Sequence, residues 1–193
     1  MMKKLACLVT LVAALFFTPQ YSFATGQYCA EQLVDVVIML DRSSSIDRQV
    51  ELPAEANAAK ALLDTFITLN SGHKVAVGAF SETATILAGG NLSTNYANLK
   101  NVIDTQLFIN TSGTNIEDSI QKSETELNTG SAPLKFIVLI SDGQASRRNN
   151  QALSNAAAAL QAATTAKNRG IRIITIAYDS ADGSQAALTA ARF

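Results

Sequence analysis

Val34-Asp35-Val36-Val37-Ile38-Met39-Leu40-Asp41-Arg42-Ser43-Ser44-Ser45 is the stretch that decides the fold. Val36 to Leu40 is an unbroken apolar run, and such short runs suit a strand covered on both faces. The run stops at an acid, Asp41, and the hydroxyls of Ser43 and Ser45 follow at alternate positions. An acid directly after a buried strand sits at its carboxyl end, where open α/β sheets place their sites. Asp41, Ser43 and Ser45 offer only oxygen, the donor that hard divalent cations prefer.

Working outward, the chain alternates strands and helices. A helix follows, with Pro53 near its first turn and Ala59, Leu62, Leu63, Phe66 and Leu69 on one face. Residues 74–80 read as a strand, and the close connection at Ser81-Glu82 predicts an antiparallel strand near 83–87. Residues 95–106 read as a helix with Leu99, Val102 and Ile103 facing inward. A turn at Ser112-Gly113-Thr114-Asn115 opens a helix over 115–128, buried through Ile116, Ile120 and Leu127. Residues 135–141 form a second strong apolar strand that also ends in an acid, Asp142. An Ala-rich helix over 150–168, closed by Gly170, and a strand over 172–178 follow. Ala186 to Phe193 reads as the start of another helix. The order predicts an α/β fold: a Rossmann-like, doubly wound, mostly parallel sheet with one antiparallel edge strand and helices on both faces.

The carboxyl ends of parallel strands share one edge, so Asp41 and Asp142 are expected at one crevice. Thr114 enters there from a glycine-preceded turn, Gly113 letting backbone approach closely. The expected oxygen set is Asp41, Ser43, Ser45, Thr114 and Asp142. Ser44 is expected to point away. Two carboxylates balance a divalent cation, while three hydroxyls add dipoles without charge. Such an ion stays electrophilic, and an incoming carboxylate suits both its charge and its preference for oxygen.

These residues resemble a known family. Asp41-Arg42-Ser43-Ser44-Ser45 is similar to the Asp-x-Ser-x-Ser motif of von Willebrand factor type A domains. Gly113-Thr114-Asn115 resembles that family's threonine loop, and Ser141-Asp142-Gly143 its second aspartate loop. The three stand in the family's order, and the resemblance covers about residues 31–193. It implies a metal-ion-dependent adhesion site, in which Ser43, Ser45 and Thr114 coordinate Mg²⁺ (or Mn²⁺ or Ca²⁺), with Asp41 and Asp142 bound directly or through water. It also implies binding of a protein ligand that offers a carboxylate, and no catalysis. Two features depart from the pattern. Arg42 occupies a position usually small or polar in the family. The last helix is shorter than the family's, which makes a truncated C-terminus the expectation. In some exported members, cysteines flanking the domain join its ends. By that analogy, a partner for Cys29 would lie beyond Phe193.

Residues 1–24 open with Lys3-Lys4, continue through an apolar stretch from Leu5 to Phe17 and close on Ser22-Phe23-Ala24. That is the pattern of a secretory signal peptide, with cleavage expected after Ala24. Its apolar middle is too short to span a bilayer well, and no later stretch is long enough. The mature protein is expected to be secreted, periplasmic or on the cell surface. Loss of the two lysines shifts the formal charge from −1 to −3, which gives no reason to expect nucleic acid. The doublet Arg147-Arg148 reads as a solvated loop. Cys7 leaves with the signal peptide and Cys29 is left alone, either pairing between molecules or free near the terminus.

Other chemistries fit less well. His73 is the sole histidine, expected in a surface turn, so a zinc site lacks ligands. No Gly-x-Ser-x-Gly elbow is present. An Mg²⁺-dependent phosphatase or dehalogenase-like hydrolase would use Asp41 as nucleophile, but Ser43 stands where its general acid belongs, and Gly143 follows Asp142 where a paired acid is wanted. A third reading is a structural domain within a larger surface assembly.

Overall fold

The structure is a computed structural model that describes residues 32–69, 72–107, 112–143, 145–177 and 189–191. Residues 1–24, expected to be a signal peptide, Cys29 and the connection over 178–188 lie outside the described residues.

Strands β1 (Val34–Asp41), β2 (Lys74–Phe80), β3 (Ala84–Ile86), β4 (Leu134–Ser141), β5 (Ile171–Ala177) and β6 (Thr189–Ala191) form one sheet in the order β3-β2-β1-β4-β5-β6. β1 lies between β2 and β4 and runs parallel to both, with Asp41 opposite Phe80 and Leu40 opposite Ile140. β4 and β5 are also parallel. The chain leaves β1 on one side to reach β2 and returns on the other as β4. The strand order therefore reverses beside β1, and a crevice opens at its carboxyl end.

Among the described residues four helices cover the sheet. They are α1 (Glu51–Leu69), α2 (Tyr96–Gln106), α3 (Ile116–Leu127) and α4 (Asn155–Asn168). Side chains alternate across a strand, so β1 serves two cores. Val36, Ile38 and Leu40 pack with Leu52, Ala56, Ala59 and Leu63 of α1 and with Leu99, Val102 and Ile103 of α2. Val37 and Met39 pack on the opposite face with Ile120 and Leu127 of α3 and Ala162 and Ala166 of α4. The unbroken apolar run of β1 is thus explained by helices on both faces. Leu69, expected on the buried stripe of α1, is 49% exposed at the helix end.

Local chemistry sets the helix ends. Asn95 and Asn115 accept from the backbone N–H groups of Asn98 and Asp118, capping α2 and α3. α4 begins at Asn155, not at 150, because Asn150 and Ser154 bond the backbone locally. Asn150 Oδ1 accepts from Ala152 N (3.1 Å), and Ser154 Oγ caps Ala157 N (3.2 Å). Gly170 closes α4 with φ +81°, a left-handed conformation suited to glycine.

Two expectations are corrected. His73 is buried rather than in a surface turn, 5% exposed. Its Nδ1 accepts from Val34 N at 3.1 Å, and its ring meets Phe66 edge-on at 5.7 Å. It satisfies a backbone donor at the start of β1 and fills core space. The second correction concerns the C-terminal segment, where Thr189–Ala191 form β6, antiparallel to β5, instead of helix. The sheet therefore has an antiparallel strand at each edge. Pairing satisfies ladder groups that β5 would otherwise leave open, and this outweighs the helix preference of alanine.

Candidate functional site

Three loops meet at the carboxyl ends of β1 and β4. The first leaves β1 after Asp41, the second precedes α3, and the third leaves β4 after Ser141. Together they line an open cavity of about 390 Å³, bounded by Ser43, Ser44, Ser45, Gly113, Thr114, Asp142, Gly143 and Ser146.

Asp41 lies beneath this cavity and is fully buried. Its Oδ1 accepts from Ser43 N at 2.9 Å, which folds the loop back over the strand end. Its Oδ2 accepts from Ser141 Oγ at 2.6 Å, tying β1 to β4. From there the oxygens form a chain. Ser43 Oγ and Ser45 Oγ are 2.9 Å apart, and Ser45 Oγ donates to Asp142 Oδ1 at 3.5 Å. Thr114, 5% exposed, enters from the α3 side, and both its backbone groups are fixed by the third loop. Its N–H donates to Ser146 Oγ (2.8 Å), and its carbonyl accepts from Ser146 N (2.9 Å) and Arg147 N (3.2 Å).

The five residues singled out in the sequence thus meet in one place. Ser43, Ser45, Thr114 and Asp142 line the cavity, and Asp41 anchors it from below. Ser44 also lines the cavity, against expectation, because the turn at 44–45 exposes it beside its neighbours. Arg42 is not among the lining residues, and its N–H donates to Phe80 O at 2.9 Å as the strand ladder ends.

Electrostatically the site is under load. Burial pushes the Asp41 carboxyl above its ordinary range, while the hydrogen bonds from Ser141 and Ser43 pull it back in part. Asp142 is raised too, first by burial, then by the charge of Asp41 and that of Glu51. A polyvalent cation here would relieve both burdens, and the polar side-chain atoms of the lining residues are all oxygens, so the donor set fits a hard ion. Among the described residues no group of three or more His, Cys, Asp or Glu is placed to hold a metal. The set here draws on hydroxyls instead. Asp41 is poorly presented as a nucleophile, since it is enclosed and both its oxygens are engaged.

Sequence reasoning missed three contributors. Ser141 and Ser146 act on Asp41 and on the Thr114 backbone. The position of Ser141, next to Asp142 at a strand end, was a usable signal. Asn149 is the third: its N–H donates to Glu117 Oε2 (2.6 Å), and its side chain bonds Asn115, Asp118 and Gln121. Nothing local in the sequence marks it, because its partners, though within hydrogen-bond distance, lie 28 to 34 residues away in the chain.

The described sheet has known counterparts. A model of the von Willebrand factor type A domain matches residues 35–191. No curated protein matches the chain. Among solved structures, the vWF domain of the type V pili tip protein Mfa5 from Porphyromonas gingivalis is 25% identical with a TM-score of 0.50, the match covering 61% of this chain and 40% of that one. The PilB minor pilin from Streptococcus sanguinis is 21% identical with a TM-score of 0.51, over 58% of this chain and 30% of that one. A von Willebrand factor type A protein from Catenulispora acidiphila is 23% identical with a TM-score of 0.58, over 76% of this chain and 32% of that one. The chain therefore spans less than half the length of each of these relatives. With the family model covering most of the chain and the sheet wound as these domains are, the protein belongs to the von Willebrand factor type A domain family.

Proposed function

We propose that this is an exported, metal-dependent protein-binding domain. Asp41, Ser43, Ser45, Thr114 and Asp142 hold a divalent cation, Mg²⁺ or alternatively Mn²⁺ or Ca²⁺, in a metal-ion-dependent adhesion site. The ion grips a carboxylate of a partner protein and no reaction follows. Residues 1–24 direct export, and the mature domain works in the periplasm, at the cell surface or in the medium. Among the described residues no helix is long and apolar enough to cross a membrane. Membership of a family whose domains often bind a divalent metal supports this reading, as does likeness to a domain of a pilus tip protein.

One observation carries it. Hydroxyls and carboxylates from three separate loops converge on one cavity, with Asp41 locked beneath by Ser43 and Ser141. Helix capping alone would need neither the alternate hydroxyls nor the distant threonine. Burial raises Asp41, and burial with the charges of Asp41 and Glu51 raises Asp142, a load that a bound cation would relieve.

Titration calorimetry tests it. Mg²⁺ or Mn²⁺ is expected to bind one ion per chain, and Asp41→Ala or Thr114→Ala is expected to abolish the heat while circular dichroism shows a retained fold. Partner capture is expected to vanish in EDTA. Absence of cation binding at millimolar concentration removes the reading.

A further inference from the structure

We propose that Arg147 is a second acid-binding point beside the cavity, so that the recognised element on the partner is a pair of carboxylates, adjacent or alternating along its chain. The inference rests on the function proposed above and deepens it.

The observation begins at Gly113, whose φ of +86° lies in the left-handed region. A β-carbon placed there would stand 2.6 Å from Arg147 Cγ, 3.0 Å from its Nε and 3.4 Å from its Cδ. The arginine stem therefore lies across the glycine, in space that only a residue without a side chain leaves open. Gly113, which the stem crosses, and Ser146, whose carbonyl accepts from Nη1, both line the cavity, so Arg147 lies next to its lining residues without being one of them.

The loop carrying Arg147 is held on both sides. Ser146 and Arg147 N–H groups bond Thr114 O, and Thr114 N bonds Ser146 Oγ. Further on, Asn149 N and Asn150 N both donate to Glu117 Oε2, at 2.6 and 3.1 Å. A stem packed in this way has less conformational freedom to lose on binding, which lowers the cost of the contact.

The guanidinium itself is available. It donates from Nη1 to Ser146 O at 3.2 Å, and the ion pairs among the described residues involve Lys60, Lys100 and Arg169 instead. Arg147 is exposed. A divalent ion would balance Asp41 and Asp142, and Arg147 adds a further positive charge next to the cavity's lining residues. Its planar fork matches a carboxylate in two parallel hydrogen bonds. One acid of the partner meets the ion and a neighbouring acid meets Arg147.

Fluorescence polarisation with the full chain tests this. The probes are three labelled glycine peptides carrying one glutamate, two adjacent glutamates or two alternating glutamates, each measured in Mg²⁺ and in EDTA. One of the two-acid peptides is expected to bind about tenfold more tightly than the one-acid peptide in Mg²⁺. The ratio is expected to fall to about one in Arg147→Gln, to drop further in Arg147→Glu, and to persist in part in Arg147→Lys, which keeps charge but not the fork. A ratio near one in the wild type, or an unchanged ratio in Arg147→Gln, overturns the inference and leaves the metal site standing. Absence of Mg²⁺-dependent binding for every peptide overturns the site and the inference together.

Discussion

Ser141 Oγ donates to Asp41 Oδ2 at 2.6 Å, across the carboxyl ends of β4 and β1. One hydroxyl thereby joins the two strands whose loops make most of the cavity, and it aims the carboxylate that lies beneath. Asp41 Oδ1 accepts from Ser43 N, so the acid is clamped at both oxygens by the protein itself. Such prior ordering is what a precise ion site requires.

Ser141→Ala tests the clamp. Removing the hydroxyl leaves a buried Asp41 oxygen without its donor, which costs about 1–3 kcal/mol. Urea unfolding in EDTA is expected to show a loss of that size. Calorimetry with Mg²⁺ is expected to show affinity falling by about 10- to 100-fold, as for other residues that orient a ligand. An affinity equal to wild type assigns Ser141 a purely structural part.

Cation linkage gives a second outcome. An ion that binds the folded chain alone raises stability by about 2.7 kcal/mol at a hundredfold excess over its dissociation constant. Mg²⁺ is expected to raise the melting temperature of the wild type, and EDTA to reverse the rise. Asp142→Ala is expected to lose the effect, since it removes one of two charges that balance the ion. A rise that survives in Asp142→Ala places the ion elsewhere.

Acid dependence follows from the same two groups. The folded-state values of Asp41 and Asp142 lie above the ordinary 3.8, so over the interval between the two states the folded chain holds more protons than the unfolded one. Stability in EDTA therefore falls as pH rises through that interval, and the full contribution is present below 3.8. Asp142→Asn is expected to flatten the fall, because it removes one of the two raised groups. Saturating Mg²⁺ is expected to reverse the slope, since the ion favours the charged carboxylates. Urea midpoints measured from pH 4 upward, with and without Mg²⁺, check the sign.

Much of this architecture was legible in the chain because the signals were strong and local. The apolar run ending at Asp41 gave β1, its burial on both faces and the position of the site. The apolar run ending at Asp142 did the same for β4, and parallel geometry then brought the two acids together. The illegible parts depend on partners distant in sequence. His73 is buried because Val34 N, 39 residues earlier, needs an acceptor and Phe66 offers a ring from the end of α1. The strand at Thr189–Ala191 owes its form to the open edge of β5, which overrides the propensity of the segment itself. Ser146 and Asn149 stand in a loop with an ordinary polar composition. Their importance comes from Thr114 and from the α3 carboxylates they meet.

Asn149→Ala tests how far the third loop depends on α3. The Asn149 amide donates to Asp118 Oδ1 and Gln121 Oε1, each at 3.0 Å, and its oxygen accepts from Asn115 Nδ2 at 3.1 Å. Asp118 also accepts from Ala84 N, so the same helix holds β3, the threonine loop and the loop after β4. Truncation removes one partner from Asp118, which is 7% exposed, and from Asn115, which is 2% exposed. A loss of about 1–3 kcal/mol is expected in urea unfolding. Hydrogen exchange is expected to speed up at the N–H groups of Ser146 and Arg147, which bond Thr114 O, before it does in β1 or β4. If protection at those two groups is unchanged while global stability drops, the Asn149 side chain does not hold this part of the loop, and the backbone bonds to Thr114 and Glu117 suffice.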